Sequence, residues 1–475
     1  MSQPVYPGEL TDDNIRRIFA EAGDFNTRCL QCGSFTLYAY AIDGLTASAD
    51  ISEYVFKPIM EDLTGKTMHE FYQKAINGAV VNSVAKPCKD LTDAAMFLVN
   101  GFCVVLFPGV GAIAFETKTG EKRSISQPEV ENTTKGPKDA FVETVRTNTS
   151  LVRRHLRTPD LRIFETKVGR RSVTNVSVVW IDGLTDPGLV KKMKSRLEGI
   201  DIDGMLFPAS VEEYVTGSRA TAFPLLQYTE RTDRFCHGLL AGRVGLLVDG
   251  IPLGYLAPVD IGYLMDSPED YSRDYLSASC VRVLRYLALL IGLLLPAVFV
   301  ALTMYHLDLL PKMIYKIVLE NNSVTPYESA WEVLGLLVVF ELLQESGIHL
   351  PRSIGQSISI IGGIVVGTAA VEAGLIAPMS LITVSLTGVC GFVLPNRDFA
   401  NAIRVWRFAI ALLASLFGLW GIAAGLAVLV IHLASLKSMG ISYIAPFDQG
   451  LIRKRMERDK YRNNKTHPRD KRNQK

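Results

Sequence analysis

From Tyr286 onward the chain almost stops carrying charge, and this limits what it can fold into more than any other feature. Tyr286–Tyr305 holds twenty residues without a charged side chain, and Phe408–Ile431 holds twenty-four. At about 1.5 Å per helical residue, either stretch can cross the ~30 Å hydrocarbon layer of a bilayer. Charges are dense before about residue 285 and again after about residue 436. The sequence therefore predicts a soluble N-terminal region, a helical membrane region and a basic tail. The first thirty residues are polar, with no apolar core of a signal peptide, so the first spanning helix is expected to direct insertion itself.

Four spans are expected, near 286–305, 353–371, 378–394 and 408–431. Arg282 and Arg285 precede the first and favour a cytoplasmic start, and Pro296 kinks it midway. The second contains Gly363-x-x-x-Gly367, which admits close helix approach, either inside one subunit or between subunits. Between the first two spans, 331–347 is apolar but carries Glu332, Glu341 and Glu345, and reads as a re-entrant or amphipathic segment. Glu341 and Glu345 share a helical face. They are the candidate ion path, lining water in an oligomer; the alternative for Glu341 is an ion pair with Lys312 or Arg352. Four spans return the tail to the side of the N-terminus. One feature opposes this count: Arg397, Arg404 and Arg407 then fall at the outer end of the last span, against the positive-inside tendency. The tail from Leu451 to Lys475, with eleven Lys/Arg and three Asp/Glu, pulls the other way and suits contact with anionic lipid.

The soluble part contains a repeat. Ile42-Asp-Gly-Leu-Thr46 recurs as Ile181-Asp-Gly-Leu-Thr185, each after a strand-like run and before a helix-like one. Gly101–Ala114 and Gly242–Ala257 form a second corresponding pair, each strand, glycine turn and strand, with Asp249-Gly250 suited to a hairpin. Two related α/β halves are expected, followed by an α-helical transmembrane bundle. The expected boundaries are a polar extension at 1–34, first half 35–120, basic helical connector 121–172, second half 173–280, helical domain 281–436 and tail 437–475. In the connector, Arg146, Arg153, Arg154 and Arg157 line a helix that is either a salt-bridged face or a docking surface for an acidic neighbour.

Chemistry is sparse. There is no phosphate-binding loop, dinucleotide fingerprint, zinc-protease motif or nucleophile elbow. Cys29-x-x-Cys32 has no second pair at zinc spacing, and Asp201-Ile-Asp-Gly204 lacks the further ligands of a calcium loop. The charges, 50 basic against 48 acidic, set up no field for nucleic acid. Neither an enzyme nor a cofactor is expected.

Several stretches, in one collinear order over about 35–450, resemble the GerA family of spore germination proteins. Gly136-Pro-Lys-Asp-Ala-Phe-Val-Glu-Thr-Val-Arg-Thr-Asn-Thr149 and Leu156-Arg-Thr-Pro-Asp-Leu161 resemble its central signature. Val168-Gly-Arg-Arg171, Ile200-Asp-Ile-Asp-Gly204, Tyr228-Thr-Glu-Arg231, Ser267-Pro-Glu-Asp-Tyr271 and Leu284-Arg-Tyr286 continue it. Leu294-Leu-Pro-Ala297, Phe340-Glu-Leu-Leu343 and Gly355–Gly363 carry it through the apolar region. The resemblance is greatest to the A subunit of germinant receptors, with the SpoVAF-type protein as the alternative. It implies a nutrient sensor in the spore inner membrane; the polar N-terminus, the arginines before Tyr286 and the basic tail then place the N-terminal domain on the core side as an expectation. It also implies a permease-like B subunit and a lipoprotein C subunit as partners, and a homo-oligomer that conducts ions when germinant binds. The alternative is an accessory or non-conducting scaffold.

Overall fold

The structure, a computed structural model, describes residues 5–61, 65–80, 84–118, 127–131, 133–217, 221–322, 325–349 and 367–444. It divides into two compact units. Among the described residues, the first takes in 5–217 and 226–258, and the second 221–225 and 259–444.

The first unit holds two five-stranded antiparallel sheets. One consists of β1 (Phe25–Cys32), β2 (Phe35–Ile42), β3 (Ala85–Cys88), β4 (Phe102–Phe107) and β5 (Gly111–Glu116), in the order β1-β2-β4-β5-β3. The other consists of β6 (Leu161–Val168), β7 (Thr174–Ile181), β8 (Gln227–Thr229), β9 (Val244–Val248) and β10 (Gly254–Ala257), in the order β6-β7-β9-β10-β8. Adding five to each strand of the first order gives the second, so the expected duplication holds at the level of topology. It extends to the turns. Gly44 and Gly183, third in each Ile-Asp-Gly-Leu-Thr copy, have φ of +81° and +80°, where a side chain is strained. Gly101 and Gly242, ahead of β4 and β9, have φ of +82° and +83°, and each backs onto the carbonyl of its copy's leucine, Leu45 or Leu184.

Two expected boundaries move. β1 pairs with β2 along its whole length, so the first half starts well before residue 35. Its opening helix, α1 (Asp12–Ile18), packs Ile15, with Phe19 just beyond it, against Leu91, Ala94 and Leu98 of α2 (Leu91–Val99). The supposed connector helix, α3 (Val145–His155), occupies the same place ahead of β6, and packs on α4 (Thr232–Leu240), which precedes β9 as α2 precedes β4. It is the opening element of the second half. The sequence reading missed this because α1 and α3 share no motif, only position.

In the first sheet, successive side chains alternate between faces. Tyr40, Ile42, Val104 and Leu106 face α1 and α2, while Leu37, Ala39, Val105 and Phe107 face a second cluster with Ile51, Val55, Ile59 and Phe71. On β1 the same alternation separates Cys29, which is exposed, from Cys32, which is buried. Residues three apart on a strand point to opposite faces, so these thiols cannot pair with each other or share a metal. Burial also pushes the Cys32 thiol up, leaving it a poor nucleophile.

The second unit is helical. Its main elements are α5 (Tyr275–Tyr305), α6 (Ser329–His349), α7 (Pro378–Val393) and the helical run α8 (Arg397–Ser435). Two of these, α5 and α8, are long and apolar enough to cross a membrane. The span expected at 353–371 lies mostly outside the described residues. The segment expected to be re-entrant or amphipathic is instead a continuous helix in α6. Glu332 and Glu341 are nine positions apart, about 180° around a helix, so its charges cannot define one polar face.

The expected single span at 408–431 is corrected. Within α8, Gly418 has φ +58° and ψ −135°, which ends one helix and starts another. The Trp406 and His432 rings lie 5.6 Å apart between centroids. In a straight helix these residues would be separated by roughly 39 Å. A Cβ on Gly425 would stand 3.0 Å from Ile410 Cγ1, and Gly421 sits against the Leu413 carbonyl. α8 is therefore a tight antiparallel hairpin with legs 397–417 and 419–435, roughly 31 and 26 Å long. The Tyr305 hydroxyl donates to the Ser415 and Leu416 carbonyls, at 2.7 and 3.1 Å, and so caps the first leg beside the bend. At the open end His432 meets the Thr221 hydroxyl at 3.0 Å, and the Ser438 hydroxyl donates to the Leu225 carbonyl at 2.7 Å. Arg397, Arg404 and Arg407 thus lie in the half of the hairpin away from its bend.

Two outcomes follow from this architecture. A Trp406→Cys/His432→Cys pair should cross-link efficiently under mild oxidation of the full-length protein, whereas a straight helix would give none. The second concerns His155, whose ring lies 2.6 Å from the Asp139 carboxylate and closes the segment that leads into α3. The hydrogen bond to Asp139 holds the imidazolium above its ordinary range. Burial works to raise the Asp139 carboxyl, but the His155 hydrogen bond and charge outweigh it and hold it below its ordinary range. A raised imidazolium stabilises fully below its unfolded value of about 6.5 and loses that contribution as pH rises through the raised value. The depressed carboxyl stabilises above its unfolded value of about 3.9 and loses that contribution only in acid. His155→Gln should therefore cost hydrogen-exchange protection in α3 at pH 6 and much less at pH 9; an equal loss at both would contradict the pair.

Candidate functional site in the helical region

The helical unit starts from a buried charge cluster. Ser267 caps the short helix Pro268–Ser272, and Asp270 reaches back to the Ser267 amide, closing a capping box. The Asp270 carboxylate, fully buried, then takes both arms of Arg285, at 2.6 and 2.7 Å, and Nε of Arg282 at 3.2 Å. Arg282 also binds Asp266 at 3.1 Å, and Arg285 donates to the Met265 carbonyl at 3.1 Å. The two arginines read from sequence as topology signals are thus sequestered, at 5% and 6% exposure, by two aspartates. Pro268, Asp270 and Arg285 come from the Ser267–Tyr271 and Leu284–Tyr286 stretches, so these motifs encode one clamp at the root of α5.

The three carboxylates of α6 part company. Glu332 is buried; its Oε2 accepts from the Ala377 amide at 3.1 Å and the Ser380 hydroxyl at 2.7 Å, which caps the start of α7. Glu341 keeps 51% of its side chain exposed and pairs with Arg404 of the first hairpin leg at 2.7 Å. The partner is neither of those expected: Lys312 is not paired with it, and Arg352 lies outside the described residues. Glu345 is exposed, one turn on. Arg404 also holds Gln344 and Asn401 through their side-chain oxygens. Beside it Arg407 is buried, and its Nε has no hydrogen-bond partner among the described residues. Sequence reasoning did not single out Arg407 as a site residue. The available signal was the three-arginine anomaly at the start of the last apolar stretch.

Gly363 lies outside the described residues. Gly367 faces Leu381 of α7, where a Cβ would stand at 3.3 Å, so its described contact is within one chain. Two further close positions went unread: Gly388 on α7 lies under the Phe340 ring of α6, tighter than Gly367, and Gly292 on α5 faces Cys390, with a Cβ at 3.3 Å. Around this packed interior the bundle shows apolar side chains outward. Leu287, Leu290 and Ile291 on α5, Leu386 and Val389 on α7, and Leu416, Phe417 and Trp420 at the hairpin bend are all exposed. Such a surface calls for lipid or protein against it.

The arginines of α3 prove largely internal to the first unit. Arg153 is buried, at 1% exposure, on Asp24 with contacts of 2.5 and 2.7 Å. Arg153 therefore leaves the candidate docking surface, because its charge is committed between the two halves. Arg146 bridges them from outside, binding Asp43 at 3.3 Å and Glu165 at 2.8 Å. Arg154 is half-buried and Arg157 exposed. Two other motif stretches also meet: Arg170 pairs with Asp201 at 2.6 Å, and Arg171 with Asp203 at 3.6 Å, which makes Ile200–Gly204 a structural turn. Among the described residues no group of acidic, histidine and cysteine side chains could hold a metal.

A family profile described as "Bacillus/Clostridium GerA spore germination protein" matches residues 13–469. The uncharacterized membrane protein YfkQ of Bacillus subtilis is 37% identical over 89% of this chain and 82% of its own length. Spore germination protein KA of the same organism is 32% identical over 85% and 74%, and spore germination protein B1 is 32% identical over 85% and 84%. Among solved structures, the N-terminal domain of the A subunit of the Bacillus megaterium spore germinant receptor GerK3 aligns with 51% of this chain and 91% of that domain, at 27% identity and a TM-score of 0.40. With a profile spanning nearly the whole sequence and relatives matched over most of their length, the chain belongs to the GerA family of spore germination proteins.

Proposed function

We propose that the chain is the A-type subunit of a germinant receptor in the spore inner membrane. Its helical unit sits in the bilayer and its first unit faces the spore core. It works with a permease-like B subunit and a lipoprotein C subunit, and assembles with further copies of itself so that α6 and the hairpin contribute an ion path. The observation that carries this reading is Glu341: a half-exposed carboxylate on a bundle whose other outward side chains are mainly apolar. Carboxylates at such positions face water, a partner charge or an ion route. Arg154, Arg157 and the basic tail, whose residues lie outside those described, are assigned to contacts with acidic neighbours and anionic lipid.

The pairing of Glu341 with Arg404 favours a second reading, in which the chain is a SpoVAF-type accessory or a non-conducting scaffold and the glutamate is a structural ion pair. Glu341→Gln separates the two, since it keeps the shape and removes the charge. A path residue predicts an assembled complex with reduced ion release and slower germination. A structural pair predicts less assembled complex, because the substitution strands Arg404. Normal assembly with normal ion release would remove Glu341 from both roles.

A further inference from the structure

One end of the helical bundle can be located from its contacts. Tyr305, the last residue of α5, donates to the Ser415 and Leu416 carbonyls, so α5 and the first hairpin leg end together at the bend. Gly292, thirteen residues earlier, faces Cys390, which sets that part of α7 roughly 20 Å below the bend. The first leg starts at Arg397, roughly 30 Å below it. α7 stops at Val393, and the four peptide steps from there to Arg397 reach at most about 14 Å. Were α7 directed toward the bend, Val393 would lie about 15 Å from Arg397 along the axis, with a further ~8–10 Å between axes. α7 therefore runs away from the bend, and its start at Pro378 is level with the bend to within a few ångströms. Glu332, which caps that start, brings the first turn of α6 to the same end.

The chain between Tyr305 and α6 is thus held at this end of the bundle from both sides, and it contains the helix Lys312–Asn322. Lys312, Lys316 and Glu320, spaced four apart, occupy about 80° of its circumference. Lys316 pairs with Glu320 at 3.8 Å. Val318, roughly opposite, is buried. Met313 and Leu319 lie on the two shoulders, each beside a charged residue, and both are exposed, Met313 at 79%. A helix packed on a protein in water buries its apolar arc and shows its charged one. Here only a narrow strip is buried, with apolar side chains in the open on both flanks. That distribution suits a boundary where polarity changes over a few ångströms. A second observation does not involve this helix. Tyr305, Tyr327, Trp331 and Trp420 are exposed at the same end, Trp331 at 69% and Trp420 at 83%. Tyrosine and tryptophan collect at the headgroup level of a bilayer, which accommodates both ring and polar atom. The exposed Leu287, Leu290 and Ile291 of α5 lie below this level.

We propose that the bend end of the bundle carries a collar for phospholipid headgroups, built from the helix Lys312–Asn322 and the four aromatic residues. The helix lies in the membrane–water boundary, with Val318 against protein, Met313 and Leu319 in the upper acyl region and both lysines turned to water. The occupant is the glycerol and carbonyl layer of the lipid. This inference rests on the reading that the helical unit sits in the bilayer, and adds where the crossing of α5 and the hairpin ends.

The test uses full-length protein with its exposed thiols, Cys29 and Cys280, replaced by serine, in vesicles of equal parts phosphatidylglycerol and phosphatidylcholine. Nitroxide labels are placed singly at Leu290→Cys, Met313→Cys, Leu319→Cys and Glu320→Cys. Their collisions with oxygen, which concentrates in hydrocarbon, are compared with those of a water-soluble nickel chelate. Oxygen should dominate strongly at Leu290 and by a several-fold smaller ratio at Met313 and Leu319, while nickel should dominate at Glu320. Nickel dominance at Met313 and Leu319, beside a lipid-exposed Leu290, would overturn the collar and leave the bilayer reading standing. Shielding of Met313 and Leu319 from both reagents would overturn it in favour of a second protein chain on this face. Nickel access at Leu290 would remove the bilayer reading and the collar with it. A second measurement leaves the helix unaltered. In Trp180→Phe/Trp406→Phe protein only Trp331 and Trp420 remain to emit. Lipids brominated near the headgroup should quench them several-fold more than lipids brominated at the chain ends, and the reverse order would contradict the collar.

Discussion

The helical unit depends on the carboxylate of Asp270. A helix that enters an apolar environment needs its first turns fixed, and charges there must be either solvated or matched. Asp270 does both tasks: it closes the capping box with Ser267 and takes the two guanidinium groups of α5. Removing one member of such a cluster strands the others, at a cost of about 3–5 kcal/mol. The direction in which α5 leaves the clamp is thereby set before any of its apolar surface is considered. Tyr305 at the far end of the same helix then fixes the bend of the hairpin through two carbonyl contacts.

The first unit shows a different economy. Duplication supplied two sheets with one strand order, and α3 is one of the elements that tie the halves together. Arg153 ties it to Asp24 at the core, while Arg146 reaches Asp43 on one half and Glu165 on the other. The basic character of that helix, read from sequence as a surface property, is mainly a joining device. A helical wheel shows which residues share a face but cannot show whether a neighbouring element brings acids to that face.

Much was legible from local chemistry. The repeated Ile-Asp-Gly-Leu-Thr turn was readable because its glycine meets a φ requirement that few other residues satisfy. The apolar stretches were readable because burial of that length has few solutions. The hairpin was not, since Gly418 is one glycine among apolar residues and hydropathy is blind to direction. A glycine inside a helix pattern is usually only a weak point; here the chain reverses at it, and a tyrosine hydroxyl of α5 donates to the freed carbonyls. The burial of Arg407 was not legible for a related reason: it exists only once every neighbour is in place.

The bend at Gly418 also bears on how this region enters a bilayer. Its tip is Phe417, Gly418, Leu419 and Trp420, and the hairpin presents no ionisable side chain between Phe408 and Ile431. Carrying a charged loop through hydrocarbon is the costly part of threading a pair of helices. Here the leading edge is as apolar as the lipid it displaces. Both legs can therefore be inserted together as one closed wedge led by an uncharged edge.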